Sequence, residues 1–174
     1  DGVVRLRAVD LGRIAAVTTS QRHHAQGVSV EVAVAIDARA HGTTELRADL
    51  AGQHQARRLD LRPGRFTATL RFEITDPELW WPAGYGAQPL YDLTVRLDDE
   101  DVVHKRIGLR TLELVDTDDA IGRRLLVRVN GVDVFCKGAN WIPADAIGQR
   151  CTPAVLHDLL ADARAANMNM IRVW

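Results

Sequence analysis

The sequence predicts a mainly β protein, in which a β-sandwich is followed by the beginning of a parallel β-α-β unit. Three observations support this prediction. Large apolar residues occupy every second position of residues 28–36, the period of a strand with one face on a core. Weaker alternation recurs between residues 13 and 109, interrupted by Gly, Pro, Asp and Asn. Residues 135–174 follow the order strand, loop, helix, strand.

The alternating segments predict an immunoglobulin-like sandwich at residues 10–115. The weaker ones are residues 13–19, 43–50, 66–74, 90–97 and 102–109. Six or seven short antiparallel strands at this spacing fit such a sandwich, although its Cys…Trp…Cys signature is absent. Residues 1–9 form one more alternating segment, which we interpret as the tail of a preceding domain or a lead-in strand. The acidic run at residues 116–119 is predicted to end the sandwich.

A hairpin is predicted at the start of the remaining segment, residues 116–174. Asn130-Gly131 lies between apolar residues 125–129 and 132–135. An Asn-Gly pair in this position is the strongest short-range signal for a hairpin with a type I′ turn.

One amphipathic helix is predicted after the hairpin. Thr152 suits the N-cap position and Pro153 the first helical position. The segment that follows the helix is again apolar, which predicts a β-α-β unit. Such a unit cannot bury both faces of its sheet by itself. We therefore expect the chain to be a fragment of a longer polypeptide that contains a barrel or a doubly wound sheet.

Composition argues against several classes of function. The chain has 174 residues, a net charge of -1 and 22 scattered basic residues, which predicts no binding to nucleic acid or to a membrane. No apolar run approaches the roughly 20 residues that cross a bilayer, and the compartment stays open. No metal-ligand spacing, nucleophile elbow or phosphate loop is present, so we expect neither a metal nor a cofactor. Cys136 and Cys151 are expected to be buried free thiols.

The last predicted strand carries the first candidate site residues. Alternation places Met170, Arg172 and Trp174 on one face of this strand and Ile171 and Val173 on the other. In an α/β barrel, active sites lie at the carboxyl ends of the strands. An inward arginine needs a carboxylate partner, which we expect outside this chain. The alternative is that Arg172 is simply exposed at a strand end.

The predicted loop at residues 139–150 carries the other candidates. Asn140, Trp141 and Asp145 combine an amide, an aromatic ring and a carboxylate, a set that suits the C–H faces and hydroxyl groups of a sugar. Two alternatives remain open. Trp141 can plug the mouth of a barrel, and Asp145 can cap the loop by accepting bonds from nearby backbone amides.

A second aromatic cluster occupies residues 78–86 and includes Trp80, Trp81 and Tyr85. It can stack on a carbohydrate, or it can pack between the sandwich and a neighbouring domain. We favour packing, because tryptophan and tyrosine concentrate at interfaces.

Several ordered motifs together resemble glycoside hydrolase family 2, and within it the β-mannosidases. The motifs are Pro77-Glu78-Leu79-Trp80-Trp81-Pro82, Gln88-Pro89-Leu90-Tyr91, Ile107-Gly108-Leu109-Arg110-Thr111, Val129-Asn130-Gly131, Lys137-Gly138-Ala139-Asn140-Trp141-Ile142-Pro143-Ala144-Asp145 and Ala166-Asn167-Met168-Asn169-Met170-Ile171-Arg172-Val173-Trp174. The resemblance covers residues 75–174 and extends more weakly towards Asp1.

The resemblance implies a sandwich followed by a catalytic (β/α)8 barrel, of which this chain would hold the first strand, helix and strand. Family members are retaining glycosidases that use two carboxylates about 5–5.5 Å apart. In the family these are glutamates on later barrel strands. The resemblance therefore implies that the parent is an enzyme, that both catalytic residues lie downstream, and that this chain alone is inactive. The remaining domains of the same polypeptide are implied partners.

The resemblance assigns roles to the matched residues only. Arg172 corresponds to an arginine that binds the nucleophile, and Trp174 to an aromatic wall of the terminal sugar subsite. Asn140, Trp141 and Asp145 match the loop at the rim of the pocket.

The implied activity is hydrolysis of terminal, non-reducing β-D-mannose residues, with a β-mannoside oligosaccharide or glycan as substrate. The β-galactosidase and β-glucuronidase branches usually carry a basic residue and a histidine where this chain has Trp141 and Ile142. Exo-glucosaminidases share the Asn-Trp pair. The alternatives are thus a family 2 exo-glucosaminidase or β-galactosidase fragment, or a non-catalytic carbohydrate-binding or adhesive sandwich.

Overall fold

The structure is a computed structural model, and it describes residues 10–98 and 101–174. The predicted segment 1–9 lies outside the described residues. The chain divides into two compact units. The first contains the described residues up to Pro77 together with Leu90–Leu109, and the second contains Glu78–Pro89 and Arg110–Trp174. The boundary at residue 115 that the sequence suggested remains a prediction.

The first unit is a sandwich of two antiparallel sheets with strand orders β1-β2-β5 and β4-β3-β6-β7. Its strands are β1 (Gly12–His24), β2 (Gly27–Ala38), β3 (Gly42–Leu50), β4 (Gln53–Leu61), β5 (Gly64–Thr75), β6 (Tyr91–Leu97) and β7 (Asp101–Ile107). These strands confirm the predicted sandwich. Strand β4 was not predicted, because only Leu59 and Leu61 of its side chains are buried.

The core of the sandwich follows directly from the alternation in β2. Val30, Val32, Val34 and Ile36 are fully buried, whereas the residues between them are only half-buried. Phe72 on the neighbouring strand β5 lies opposite Val30 and is also fully buried. Burial of this apolar face stabilises the sandwich by about 25 cal/mol per Å² removed from water.

Charged pairs cover the outer faces of the same sheet. Asp37 accepts a hydrogen bond from Arg65 Nε at 2.6 Å and another from Arg13 Nη2 at 3.1 Å. The Arg65 hydrogen bond is the main cause that lowers the pKa of the Asp37 carboxyl, and Arg13 acts in the same direction. Both arginines are exposed and Asp37 is only half-buried, so these pairs contribute solubility more than stability.

The second unit contains an antiparallel sheet of order β10-β9-β8 and a parallel pair, β11 and β12. Its elements are β8 (Leu112–Asp119), β9 (Gly122–Val129), β10 (Val132–Val134), β11 (Gly138–Trp141), a 3-10 turn (Gly148–Arg150), α1 (Pro153–Ala165) and β12 (Met170–Val173). The order strand, loop, helix, parallel strand confirms the predicted β-α-β unit.

The acidic run at residues 116–119 lies within a strand. They form the second half of β8 and pair with β9. Arg123 on β9 donates to both carboxylate oxygens of Asp116, at 2.6 and 2.7 Å. A bidentate arginine pair of this kind places an acidic residue within a strand without leaving its charge uncompensated.

The predicted hairpin is confirmed at the turn between β9 and β10. Asn130 and Gly131 have φ angles of 50° and 79°, and positive values at both positions are what a type I′ turn requires. The Asn130 side chain also accepts a hydrogen bond from Thr111 N at 2.9 Å and donates one to Trp80 O at 3.0 Å. This turn residue thereby joins three segments of the second unit.

The predicted start of the helix is also confirmed. Thr152 Oγ1 accepts a hydrogen bond from Val155 N at 3.4 Å, and Pro153 opens α1.

The prediction that both cysteines are free thiols is confirmed, but the prediction that both are buried was wrong. Cys136 is exposed and Cys151 is half-buried. Both lie in irregular segments, Cys136 between β10 and β11 and Cys151 between the 3-10 turn and α1.

Candidate functional site

The candidate site is built on the parallel pair of strands β11 and β12. Asn140 lies opposite Arg172 in the register of this pair, and Trp141 lies opposite Val173. Paired residues of neighbouring strands project from the same face of a sheet, and the face alternates along each strand. Asn140, Arg172 and the following Trp174 therefore share one face.

Side-chain contacts join these three residues. Arg172 Nη1 donates a hydrogen bond to Asn140 Oδ1 at 3.2 Å. The Arg172 guanidinium carbon lies 5.9 Å from the centre of the Trp174 ring, within the range of a cation–π contact. All three side chains are exposed, and Trp174 retains 77% of its accessible surface. The arrangement presents a cation, an amide and an aromatic ring to whatever occupies this face.

Arg172 keeps most of its hydrogen-bonding capacity in this arrangement. A guanidinium carries five N–H donors in a fixed fork, and the bond to Asn140 uses one of them. No carboxylate among residues 10–98 and 101–174 pairs with Arg172. The free donors suit a carboxylate or a ligand hydroxyl.

Trp141 does not join this group through its side chain. The sequence placed residues 139–150 in one loop, but the structure extends β11 to Trp141, so the loop begins after it. This prediction was wrong because the parallel register with β12 continues through the Trp141–Val173 pair. Alternation puts the Trp141 side chain on the face of Val173, and its carbonyl accepts a hydrogen bond from Trp174 N at 3.1 Å.

Asp145 makes local contacts in the loop between β11 and α1. Its Oδ1 accepts a hydrogen bond from Ile147 N at 2.8 Å, and its Oδ2 lies 3.8 Å from Arg150 Nη1. The bond to an amide two residues ahead is typical of an Asx turn. The structure does not bring Asp145 into contact with Asn140 or Arg172. Its assignment to the pocket rim stays a prediction.

Asn169 positions strands β11 and β12, a role that its place in the sequence did not indicate. Its Oδ1 accepts a hydrogen bond from Lys137 N at 2.8 Å, and its Nδ2 donates one to Phe135 O at 3.1 Å. The backbone N–H of the same residue binds Lys137 O at 2.9 Å. A short polar residue directly before a strand was the available signal, but its partners lie more than thirty residues away.

We expect Asn169→Ala to loosen the β11–β12 pair. The change removes two side-chain hydrogen bonds, each worth about 0.5–1.5 kcal/mol, so we expect a loss of about 1–3 kcal/mol in the free energy of unfolding. Faster hydrogen exchange at the Lys137 amide, which donates to this side chain, measures the local effect. Asn169→Asp retains the acceptor for Lys137 N and should give a smaller change. Unaltered exchange in Asn169→Ala would contradict the assignment.

The aromatic cluster at Glu78–Pro89 belongs to the second unit. Arg110 stacks over the Trp80 ring at 4.6 Å, and the Tyr85 hydroxyl oxygen accepts a hydrogen bond from Phe135 N at 3.1 Å. Both tryptophans of the cluster are only partly exposed. These contacts favour the packing interpretation over a sugar platform, because the ring of Trp80 is already covered on one side.

Residues 10–98 and 101–174 hold no group of three or more His, Cys, Asp and Glu side chains placed to bind a metal ion. In the same part of the chain, α1 is too short and too polar to cross a bilayer, and no other helix does so.

Comparison with known proteins places the chain among glycosidases. The model of "Glycosyl hydrolases family 2" matches residues 12–110. Curated relatives include β-mannosidase B of Emericella nidulans, 38% identical over 129 residues, which are 72% of this chain and 15% of that protein. The β-mannosidase B of Aspergillus oryzae is 43% identical over 111 residues, 62% of this chain and 13% of that protein. The chain thus spans about one seventh of the length of these relatives.

Solved structures agree with this placement. The β-D-mannosidase of Dictyoglomus thermophilum has a TM-score of 0.91 at 31% identity, covering 97% of this chain and 22% of that one. The exo-chitosanase CsxA of Amycolatopsis orientalis has a TM-score of 0.77 at 20% identity, covering 94% of this chain and 20% of that one, which is a likeness of fold alone. The family model matches more than half of the residues of this chain, which shows that the chain belongs to the glycosyl hydrolases of family 2.

Proposed function

We propose that this chain is part of a retaining β-mannosidase that removes terminal, non-reducing β-D-mannose residues from oligosaccharides or glycans. The observation that carries the proposal is the similarity to a β-D-mannosidase over 97% of the chain at 31% identity. The β-mannosidase B relatives support the same substrate. The parent would belong to the hydrolases, and this chain would supply the sandwich and one corner of the sugar pocket.

Arg172, Asn140 and Trp174 are the residues proposed to contact the substrate or its catalytic carboxylates. In a retaining glycosidase one carboxylate attacks the anomeric carbon while the other protonates the leaving group. The free donors of Arg172 can bind the attacking carboxylate and hold it ionised. Asn140 fixes the guanidinium through its 3.2 Å hydrogen bond. Trp174 offers an exposed ring for the C–H face of a sugar.

Trp141 and Asp145 are proposed in supporting roles. Trp141 continues the strand that carries Asn140, and its carbonyl anchors the backbone of Trp174. Asp145 shapes the loop that follows. Neither catalytic carboxylate is assigned within this chain, so the 174 residues alone should not turn over substrate.

An assay with p-nitrophenyl β-D-mannoside tests the proposal. We expect no release by the isolated chain above the buffer blank. A protein that carries this chain at the length of its relatives should hydrolyse the mannoside, with the β-anomer of mannose as the first product by NMR. Arg172→Gln should lower its kcat/KM at least about a hundredfold, which corresponds to a lost hydrogen-bonded charge pair of about 2.7 kcal/mol.

The matched control is Arg124→Gln, which removes an exposed arginine of β9 away from the proposed site residues and should leave kcat/KM within about twofold. Preference for an aryl β-glucosaminide or β-galactoside over the mannoside would assign the protein to another branch of the family. Turnover by the 174-residue chain itself would show that a catalytic pair lies within it. Either result would overturn the proposal.

A further inference from the structure

A cavity of about 170 Å³ lies within the second unit, and none of its lining residues serves the proposed sugar pocket. It is lined by Ala83, Gly84, Lys137, Arg164, Asn167 and Met168. These residues come from the aromatic cluster segment, from the approach to β11, and from the last turn of α1 and the connection to β12. Three separate segments therefore border one pocket that is open to solvent, and Lys137, Arg164 and Asn167 are exposed.

The charge of the lining is entirely positive. Lys137 and Arg164 contribute an ammonium and a guanidinium, and no acidic side chain lines the cavity. Neither cation has an ion pair or a side-chain hydrogen bond with any of the described residues. Two like charges around one cavity repel each other, and an anion between them relieves that repulsion.

Neutral donors complete the lining. Tyr85 N donates to Pro82 O at 3.0 Å and closes a turn whose central residues, Ala83 and Gly84, border the cavity. Gly84 has a φ of 85°, and the N–H groups of Ala83 and Gly84 have no hydrogen-bond acceptor among the described residues. Unused backbone N–H groups in a turn are a recurrent anion-binding device. The Asn167 carboxamide adds further donors.

The nearby helix end does not cancel this positive character. The C-terminus of a helix carries about half a negative charge, against two full positive charges in the lining. Three of the last four carbonyls of α1, those of Asp162, Ala163 and Arg164, are also occupied. They accept hydrogen bonds from Ala166 N, Asn167 N and Met168 N at 2.9, 2.9 and 3.0 Å.

We propose that this cavity binds an oxyanion. The fork of Arg164 suits two oxygens of one anion, whereas Lys137 supplies a point charge. The volume of about 170 Å³ is that of about six water molecules, which accommodates a group with two to four oxygens. The shared chemistry covers a dissolved phosphate and a carboxylate, and the two probes below distinguish these sources.

Titration of the ¹⁵N-labelled chain with sodium phosphate, at ionic strength held constant with sodium chloride, tests the site by NMR. We expect saturable shifts of the Ala83, Gly84 and Lys137 amides. Lys137→Met and Arg164→Gln should each raise the dissociation constant for phosphate about tenfold, the effect of losing one charge-assisted hydrogen bond. Arg124→Gln removes an exposed arginine of β9 outside the cavity. This control should leave the dissociation constant within about twofold of that of the unsubstituted chain.

A parallel titration with sodium acetate identifies the ligand class. Tighter binding of phosphate assigns the site to phosphate-like anions, and tighter binding of acetate assigns it to carboxylates, including those of protein side chains. Both results support an oxyanion site. Shifts that do not saturate, or dissociation constants unchanged in Lys137→Met and Arg164→Gln, would overturn it. The titration of the unsubstituted chain decides the matter even if a variant does not fold.

Discussion

Gly138→Ala should separate strands β11 and β12 and lower the free energy of unfolding by about 3 kcal/mol or more, the upper range for forced overpacking. A Cβ atom at this position would lie 1.9 Å from Met170 O and 2.7 Å from its carbonyl carbon. Both are backbone atoms, so no side-chain rotation relieves the clash. The first residue pair of the parallel register has to move apart.

The displacement should reach the candidate site, because Asn140 and Arg172 lie two residues further along the same strands. All four tryptophans lie in the second unit, two of them at Trp141 and Trp174. Denaturant unfolding followed by tryptophan fluorescence therefore reports the change. Broadened or shifted NMR signals of the Arg172 side chain would show loss of its bond to Asn140.

Gly148→Ala is the matched control for this substitution. It lies in the same unit, and a Cβ atom there meets no other atom within 4 Å. We expect its free energy of unfolding to stay within about 0.5 kcal/mol of the unsubstituted chain. Equal stability of Gly138→Ala and Gly148→Ala would contradict the close approach of β11 and β12.

Phe72→Ala should destabilise the sandwich by about 3–5 kcal/mol, the usual cost of removing a fully buried aromatic ring. Phe72 is completely buried and is among the largest buried side chains of the described residues. It faces Val30 across β2 and β5, so truncation leaves a cavity in the centre of the core. A loss of this size is a large fraction of the roughly 5–15 kcal/mol that stabilises a domain.

Far-UV circular dichroism during denaturant unfolding measures this effect, because the tryptophans report the other unit. Arg71→Ala is the control on the outer face of the same strand, where Arg71 forms an exposed pair with Glu31 at 3.1 Å. Exposed pairs contribute about 0–1 kcal/mol. A loss below about 1 kcal/mol for Phe72→Ala would show that the core is centred elsewhere.

Local chemistry made several elements predictable from sequence. The alternation in β2 is visible because, from Val28 to Ile36, large buried apolar residues alternate with smaller or polar residues that are half-buried. Asn130 and Gly131 adopt positive φ angles, which asparagine and glycine tolerate better than other residues. Thr152 and Pro153 begin α1 because one supplies the cap and the other lacks an N–H group to satisfy.

Elements that depend on distant partners were missed. Strand β4 carries mostly polar side chains and forms through pairing with β3. The acidic composition of residues 116–119 is typical of a loop, but this run pairs with β9, where Arg123 binds the Asp116 side chain. The register of β11 and β12 places Trp141 on the opposite face from Arg172. Local sequence patterns do not predict this register, because a helix of 13 residues separates the two strands along the chain.

The amino-acid sequence by itself determined the order of elements, the alternation that forms the sandwich core, the hairpin, the helix start, and the resemblance to family 2. These features depend on short-range backbone preferences and on hydrophobic periodicity, both of which can be recognised in the amino-acid sequence alone. Tertiary structure alone decided that Asn140, Arg172 and Trp174 meet, that Asp145 does not join them, and that Lys137 and Arg164 line one cavity. Such juxtapositions arise from strand register and chain crossover, which bring together side chains that are far apart in sequence.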